Sequence, residues 1–147
     1  MRLQDIMTRK IRTIAPTATA GEARAEMRTA GVRHLLVVDR AEVVGILSDR
    51  DIGKPATNDR IADLMTTTVV TATPETTIRQ AANLLRGHVI GCLVVMDGKK
   101  PAGIVTTTDL LDLIGRGIER PIERSTRWTL RARGNRQASP TARHARR

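Results

Sequence analysis

The chain has 147 residues, a formal net charge of +10, no Phe or Tyr, one Trp and one Cys. Residues 116–147 hold ten of the 25 Lys and Arg residues and two of the 15 acidic residues, so they carry +8 and residues 1–115 carry +2. The single Cys92 excludes an internal disulfide. No apolar run approaches the roughly 20 residues that span a membrane, and an N-terminus with Arg2 and Asp5 is unlike a typical signal peptide. The sequence therefore predicts a cytoplasmic protein with no membrane partner.

The sequence repeats itself at a fixed spacing. Asp5-Ile6-Met7-Thr8 returns as Asp63-Leu64-Met65-Thr66, an offset of 58 positions. The same offset relates Pro16 to Pro74, Thr19 to Thr77, Leu35 to Leu93, Gly45 to Gly103 and Asp51 to Asp109. Repeats bury their apolar faces against each other, so we expect a pseudo-symmetric pair with two equivalent clefts at its junction. The predicted units are repeat 1 (1–57), repeat 2 (58–115) and a tail (116–147).

Each repeat is predicted to run strand, helix, strand, strand, helix. The first strands are Arg12–Ile14 and Val69–Thr71. Two capping boxes, Thr19 with Glu22 and Thr77 with Gln80, then predict helix starts. Glycines favour helix ends, which predicts stops at Gly31 and Gly87.

The second and third strands of each repeat are predicted to form a hairpin. Leu35–Val38 and Leu93–Met96 are apolar runs of strand length, followed by turn residues at 39–42 and 97–100. The third strands are Val43–Leu47 and Ala102–Val105. A last helix is predicted near Asp49 and near Thr107, and in repeat 1 Gly53 and Pro55 shorten it to about one turn.

The tail is rich in Arg and poor in apolar residues, so it is predicted to be largely disordered, with Trp128 docking locally. Two interpretations remain open for it. It could bind nucleic acid non-specifically through phosphate contacts, or it could be a solubilising extension.

The third strand of each repeat leads into the pattern Gly-apolar-x-Ser/Thr-x-x-Asp. The first copy is Gly45-Ile46-Leu47-Ser48-Asp49-Arg50-Asp51, and the second is Gly103-Ile104-Val105-Thr106-Thr107-Thr108-Asp109. Together with the repeated Asp-Ile/Leu-Met-Thr starts, this resembles a tandem pair of cystathionine β-synthase (CBS) domains, or Bateman module, over residues 1–115. The resemblance implies an α+β fold of two β-α-β-β-α repeats packed sheet to sheet.

The resemblance also implies a function and a set of binding residues. Proteins of this family bind adenine nucleotides or adenosyl compounds, so AMP, ATP and S-adenosylmethionine are the candidate ligands. Matched by position, the predicted phosphate and ribose residues are Ser48, Arg50 and Asp51 in one cleft and Thr106 and Asp109 in the other. Thr13 and Thr71 would line the base.

The chemistry of these residues supports the same hypothesis. A hydroxyl where a strand meets a helix start favours an anion, an Asp can accept hydrogen bonds from a ribose diol, and Arg50 can pair with phosphate. Val32 and Ile90 could hold a flat base against Ile14 and Ala72. The alternative is that both Ser/Thr-x-x-Asp motifs are only helix caps. Because Thr108 replaces Arg50 in the second copy, we expect the Arg50 cleft to favour a multiply charged nucleotide.

No catalytic constellation is apparent in the sequence, and no Cys/His cluster has metal-ligand spacing. His34 and Cys92 occupy equivalent positions and are interpreted as packing residues rather than redox or metal groups. The sequence therefore predicts a regulatory ligand-sensing module that is not an enzyme. It would act through a homodimer, with apolar contacts from Leu110, Leu111, Leu113 and Ile114, or on an unidentified protein in trans. The alternative is a nucleic-acid-associated protein in which the CBS pair is a dimerisation scaffold.

Overall fold

The computed structural model describes residues 1–53 and 58–116. The Arg-rich tail beyond Arg116, with its predicted disorder and Trp128, lies outside the described residues. Residues 1–112 form one compact unit, and residues 113–147 are assigned to a second. The elements in chain order are a 3₁₀ turn Leu3–Asp5, β1 Thr13–Ile14, α1 Ala20–Ala30, β2 His34–Asp39, β3 Glu42–Ser48, α2 Ile61–Leu64, β4 Thr71–Ala72, α3 Ile78–His88, β5 Cys92–Asp97, β6 Lys100–Thr106 and α4 Thr107–Gly115.

The strands form two three-stranded sheets with the same topology. The orders are β1-β2-β3 and β4-β5-β6, with the first pair parallel and the second antiparallel in each sheet. The predicted hairpins are confirmed, since β2 and β3 pair across Arg40 and Ala41, and β5 and β6 pair across Gly98 and Lys99. The α+β class and the duplicated architecture agree with the sequence prediction.

Both predicted capping boxes are present. The Thr19 amide donates to Glu22 Oε2 at 2.8 Å, and the Glu22 amide donates to Thr19 Oγ1 at 3.3 Å. Thr77 and Gln80 repeat the arrangement at 2.9 and 3.3 Å. These bonds satisfy amides that have no partner within the helix, and they define the starts of α1 and α3.

One predicted helix end is wrong. Gly31 ends α1 in the left-handed conformation with φ 67°, as expected. In the second repeat Gly87 lies inside α3, and the helix continues to His88. Val89 then takes the left-handed conformation with φ 54°. Val89 lies 58 positions after Gly31, so the two long helices end at equivalent positions of the repeat. The glycine nearest to the end of α3 does not terminate it.

Each sheet is covered by its own long helix and by the starting segment of the other repeat. Leu3 and Met7 are buried in the core of α3, β5 and β6, with Ile6 packed against it. Ile61 is buried in the core of α1, β2 and β3, with Leu64 and Met65 packed against it. The two repeats therefore complete each other's hydrophobic cores.

Backbone hydrogen bonds hold this exchange in place with the same geometry in both directions. Thr8 and Ile104 exchange two N–H···O bonds of 3.0 Å, and Thr66 and Ile46 exchange bonds of 2.9 and 3.0 Å. The Leu3 amide donates to Thr76, and the Ile61 amide donates to Ala18, both at 2.9 Å. The Asp-Ile/Leu-Met-Thr starts thus have a structural role in tying one repeat to the other.

The opposite face of each sheet is closed to water at its centre. Leu36 and Val94 have no exposed surface, yet they belong to neither helix-covered core. They occupy equivalent positions in β2 and β5, where side chains alternate between the two faces. The repeats approach each other at the start of these strands, where His34 Nε2 lies 3.9 Å from the place a Cβ would take at Gly91.

Candidate functional site

The Ser48–Asp51 segment is a closed turn at the end of β3. Asp51 Oδ2 accepts hydrogen bonds from the Ser48 amide at 2.8 Å and the Ser48 hydroxyl at 3.0 Å. The Asp51 amide donates to the Ser48 carbonyl at 3.1 Å. Among the described residues, Asp51 Oδ1 accepts no hydrogen bond. The carboxylate is therefore oriented by Oδ2.

The second copy repeats this arrangement. Asp109 Oδ2 accepts from the Thr106 amide at 2.7 Å and from the Thr106 hydroxyl at 3.0 Å. The Asp109 amide in turn donates to Thr106 Oγ1 at 3.2 Å, which completes a cap on α4. The capping interpretation of this motif is thus present in the geometry. Within residues 1–53 and 58–116, Asp109 Oδ1 accepts no hydrogen bond.

The helix expected after Ser48 does not form. Residues 49–52 are a turn, and Gly53 follows with φ 67°. The left-handed glycine directs the chain out of helical geometry, and its carbonyl accepts a hydrogen bond from the Arg24 guanidinium of α1. The helix-dipole argument for anion binding therefore applies only to α4, which begins at Thr107. In the first copy, positive charge comes from side chains such as the exposed Arg50.

His34 and Cys92 lie directly beside these two turns. The strand register places His34 opposite Ser48 and Cys92 opposite Thr106. Burial lowers the pKa of His34, and nearby charged groups modify this in both directions. Burial, assisted by the Asp109 carboxylate, raises the pKa of the Cys92 thiol to about 12. Both groups are therefore held in their neutral forms near pH 7.

The residues expected to hold a base lie at the helix-side edge of each sheet. Val32 and Ile14 are half-buried and pack against the first core, and Ile90 packs in the same way against the second. Ala72 is only 7% exposed, so little of its surface is open to a ligand. A base lying here would contact the exposed edges of half-buried side chains.

Thr13 and Thr71 are both exposed and lie at equivalent positions in β1 and β4. Thr13 pairs with Leu36 of the central strand, whereas Ser48 lies on the far strand opposite His34. The width of one strand therefore separates the threonine from the Ser/Asp turn. A ligand that reaches both must lie across the end of the sheet.

A surface concavity of about 530 Å³ lies elsewhere, on the outer face of α3. It is lined by Thr76, Gln80, Asn83, Leu84, Gly87 and His88. None of these residues was singled out as a site residue, because a concave helix face leaves no short motif. It is separate from the Ser/Thr-Asp turns, whose geometry and repetition make them the stronger candidate site.

The described residues were also compared with the requirements of a metal site and of a membrane-spanning helix. Within residues 1–53 and 58–116, no group of three or more His, Cys, Asp or Glu side chains is placed to hold a metal ion. No helix in the same ranges has the length and apolar character needed to cross a membrane.

Comparison with known proteins identifies the family. The model for the CBS domain matches residues 3–54 and again residues 61–116. The CBS domain-containing protein YhcV of Bacillus subtilis (strain 168) is 30% identical over 114 residues, covering 74% of this chain and 81% of YhcV. The homoserine O-acetyltransferase of Methanohalobium evestigatum is 34% identical over 116 residues, but these cover only 24% of that enzyme.

A solved structure supports the same conclusion. The CBS domain pair of protein MJ0100, in complex with 5′-methylthioadenosine and S-adenosyl-L-methionine, superposes with a TM-score of 0.74 at 27% identity. The match covers 79% of this chain and 97% of that chain. Two family-model matches, a relative of similar length and a shared tertiary structure lead to one conclusion: this chain belongs to the CBS domain family and contains two copies of the domain.

Proposed function

We propose that this protein is a regulatory module that binds an adenine nucleotide or related adenosyl compound between its two repeats. The main support for this proposal is the duplicated turn. In both copies the amide and hydroxyl of Ser48 or Thr106 donate to Oδ2 of Asp51 or Asp109 at similar distances. A helix cap explains the second turn but not the first, because no helix follows Ser48. The adenosyl ligands of the MJ0100 pair, a relative in sequence and structure, suggest the ligand class.

The proposed binding residues divide by role. Asp51 and Asp109 would accept hydrogen bonds from the ribose diol through Oδ1, with Ser48 and Thr106 holding them in place. Arg50 would pair with a phosphate in the first cleft. Val32 and Ile90 would contact the base, and Thr13 and Thr71 would line it. AMP, ATP and S-adenosylmethionine are the ligands to test.

Isothermal titration of the full chain with these three compounds tests the proposal. We expect at least one to bind, and to stabilise the protein by about 2.7 kcal/mol at 100 times its dissociation constant. Asp51→Ala should weaken binding more than Asp49→Ala, since only Asp51 is held by Ser48. Unfolding curves of both variants separate lost binding from lost stability. Absence of heat and of any thermal shift with all three compounds would falsify the proposal.

We further propose that the module acts as a homodimer or on a partner protein. In α4, Leu110 is 7% exposed, whereas Leu111 is 62% exposed and Ile114 is 54% exposed. Large apolar side chains in water favour association. Sedimentation of the wild type against Leu111→Lys measures this, with a shift to monomer expected. A monomeric wild type at all concentrations would instead favour a partner in trans. Nucleic-acid binding by residues 116–147 remains a prediction from their charge alone.

A further inference from the structure

The two clefts differ in charge at positions that the repeat makes equivalent. Each residue beside the first turn has a counterpart 58 positions later. Four of these pairs differ in a charged or titratable group: Arg33 and Gly91, His34 and Cys92, Asp49 and Thr107, and Arg50 and Thr108. Every charged or readily titrated side chain in this set belongs to the first cleft. Both turns hold the Asp carboxylate through the amide and hydroxyl of the Ser or Thr three residues earlier. They differ in the chain that follows, since only Thr106 leads into a helix, and in the charges around them.

The charged groups around His34 differ from those around Cys92, its counterpart in the second repeat. His34 interacts electrostatically with two acidic groups, Asp49 and Asp51, and with two cations, Arg33 and Arg50. Cys92 interacts electrostatically with the Asp109 carboxylate, and residues 1–53 and 58–116 supply no cation that affects it in the same way. The first turn is thus balanced in charge and can gain one proton on its imidazole. The second turn carries one negative charge that no neighbouring side chain in this set offsets.

The positive end of the α4 dipole does not offset the negative charge of the second turn. A helix N-terminus contributes the equivalent of about half a positive charge. In α4 the Asp109 carboxylate already occupies this position, bound to the amide and hydroxyl of Thr106. A phosphate placed beside α4 would be repelled by the full negative charge of Asp109 and attracted by only about half a positive charge from the helix. A neutral adenosyl group would meet no such repulsion.

We propose that the two clefts take adenosyl ligands of different charge. The first cleft, at Ser48–Asp51, binds the phosphorylated ligand, and its affinity rises when His34 takes up a proton. The second cleft, at Thr106–Asp109, binds an adenosyl compound without a phosphate group. This inference rests on the proposed function and specifies the ligand class for each cleft.

The position of His34 couples proton uptake to both the ligand and the repeat junction. Its ring lies opposite Ser48 in the sheet and reaches Gly91 of the other repeat. Burial keeps the imidazole neutral at pH 7 in the absence of ligand. A bound phosphate would favour the imidazolium, and by linkage the imidazolium would favour phosphate to the same extent. Cys92 offers no such coupling, because its thiol stays neutral across the physiological range.

Amide NMR spectra of the full chain distinguish the clefts directly. AMP should shift the Ser48 and Asp51 amides at concentrations about tenfold lower than those that shift Thr106 and Asp109. Adenosine and 5′-methylthioadenosine should show the opposite order. Equal occupancy of both clefts by AMP would overturn the inference while leaving the proposed function intact. Absence of shifts with these three compounds would overturn the inference, and absence of shifts with ATP and S-adenosylmethionine as well would overturn the proposed function.

Exchange of the charged positions tests the cause. Arg50→Thr should weaken AMP binding at the first cleft by about tenfold, and Thr108→Arg should strengthen it at the second. His88→Gln, at the exposed end of α3, is the matched control and should change neither. If the exchanged variants keep the wild-type preference, side-chain charge does not set the selectivity.

The His34 contribution has its own measurement. Between pH 7.5 and 5.5, the ratio of AMP affinities of wild type and His34→Gln should rise by several-fold. The ratio is the appropriate measure because a phosphate monoester itself takes up a proton near pH 6. Cys92→His should introduce a similar pH dependence at the second cleft. A ratio that stays constant with pH would remove His34 from the inference.

Discussion

At the residue scale, Val89 is in a backbone conformation that its side chain disfavours. It has φ 54° and is 90% exposed, so neither its backbone geometry nor burial of its side chain explains a valine here. The equivalent residue in the first repeat is Gly31, with φ 67°. The fold therefore requires a left-handed residue after both long helices, and repeat 2 meets this requirement with a strained side chain.

We expect Val89→Gly to raise the free energy of unfolding by about 1 kcal/mol, because the left-handed conformation costs a non-glycine residue about 1–2 kcal/mol. Gly31→Val is the matched control and should lower it by a similar amount. Urea unfolding monitored by circular dichroism measures both. A loss of stability in Val89→Gly would mean that the valine side chain makes a contribution that its exposure conceals.

The Cys92 thiol should be unreactive in the folded protein. Its pKa of about 12 keeps the thiolate scarce at pH 8, and the side chain is buried. Reaction with Ellman's reagent should be slow in buffer and fast in denaturing urea. Because the pKa is raised on folding, stability should also fall as the pH rises above about 9. Equal reaction rates in both solvents would contradict this prediction.

At the scale of elements, the exchanged starting segments explain two glycines in the third strands. A Cβ at Gly103 would lie 2.7 Å from Met7 Sδ, and one at Gly45 would lie 2.7 Å from Met65 Sδ. The segment of one repeat thus crosses the strand of the other where only a glycine leaves room. The glycine of the Gly-apolar-x-Ser/Thr-x-x-Asp motif is needed for packing between repeats. The Asp closes the turn by accepting hydrogen bonds from the Ser or Thr.

Gly103→Ala should destabilise the protein by about 1–3 kcal/mol, because the added methyl group overlaps the Met7 side chain. Met7→Ala in the same chain removes the two nearest atoms, Sδ and Cγ, and leaves the Cβ at 3.0 Å, so the double variant should lose less than the sum of the single losses. Gly87→Ala in α3 is the control, since no atom lies within 4 Å of its Cβ position and alanine favours a helix. Strictly additive losses would contradict the packing explanation.

At the scale of the whole molecule, the sequence repeat and the packing unit differ. The predicted boundary between residues 57 and 58 follows the repeat. In the structure, residues 3–7 complete the second core, and residues 61–65 complete the first. A fragment cut at the sequence boundary therefore lacks the segment that covers its sheet. The pair is expected to fold as one cooperative unit.

This arrangement predicts which fragments fold. Residues 9–66 contain the first sheet, α1 and the covering residues Ile61, Leu64 and Met65, whereas residues 1–57 lack that cover. We expect 9–66 to show a cooperative thermal transition and dispersed amide resonances, with only marginal stability at this size. The 1–57 fragment should show neither. Equal folding of the two fragments would mean that the exchange contributes little.

Sequence alone determined the elements whose causes are local. The capping boxes at Thr19 and Thr77 predicted the helix starts, and the apolar runs with their turns predicted the hairpins. Repetition at a fixed spacing predicted two equivalent copies and the paired Ser/Thr-Asp turns. The capping boxes and hairpins depend on residues within one or two turns of chain, and the repeat is visible as identity at a fixed offset. The helix starts and the hairpins can therefore be predicted without knowledge of the fold.

Tertiary structure decided what depends on contacts between distant residues. It placed Val89 rather than Gly87 at the end of α3, replaced the short helix after Ser48 by a turn, and seated Met7 against Gly103. It also brought His34 beside Ser48 and Gly91, with unequal charges around two otherwise similar turns. Met7 and Gly103 lie far apart in the chain, so the contact between them depends on how the two repeats pack and not on the helix or strand preference of nearby residues.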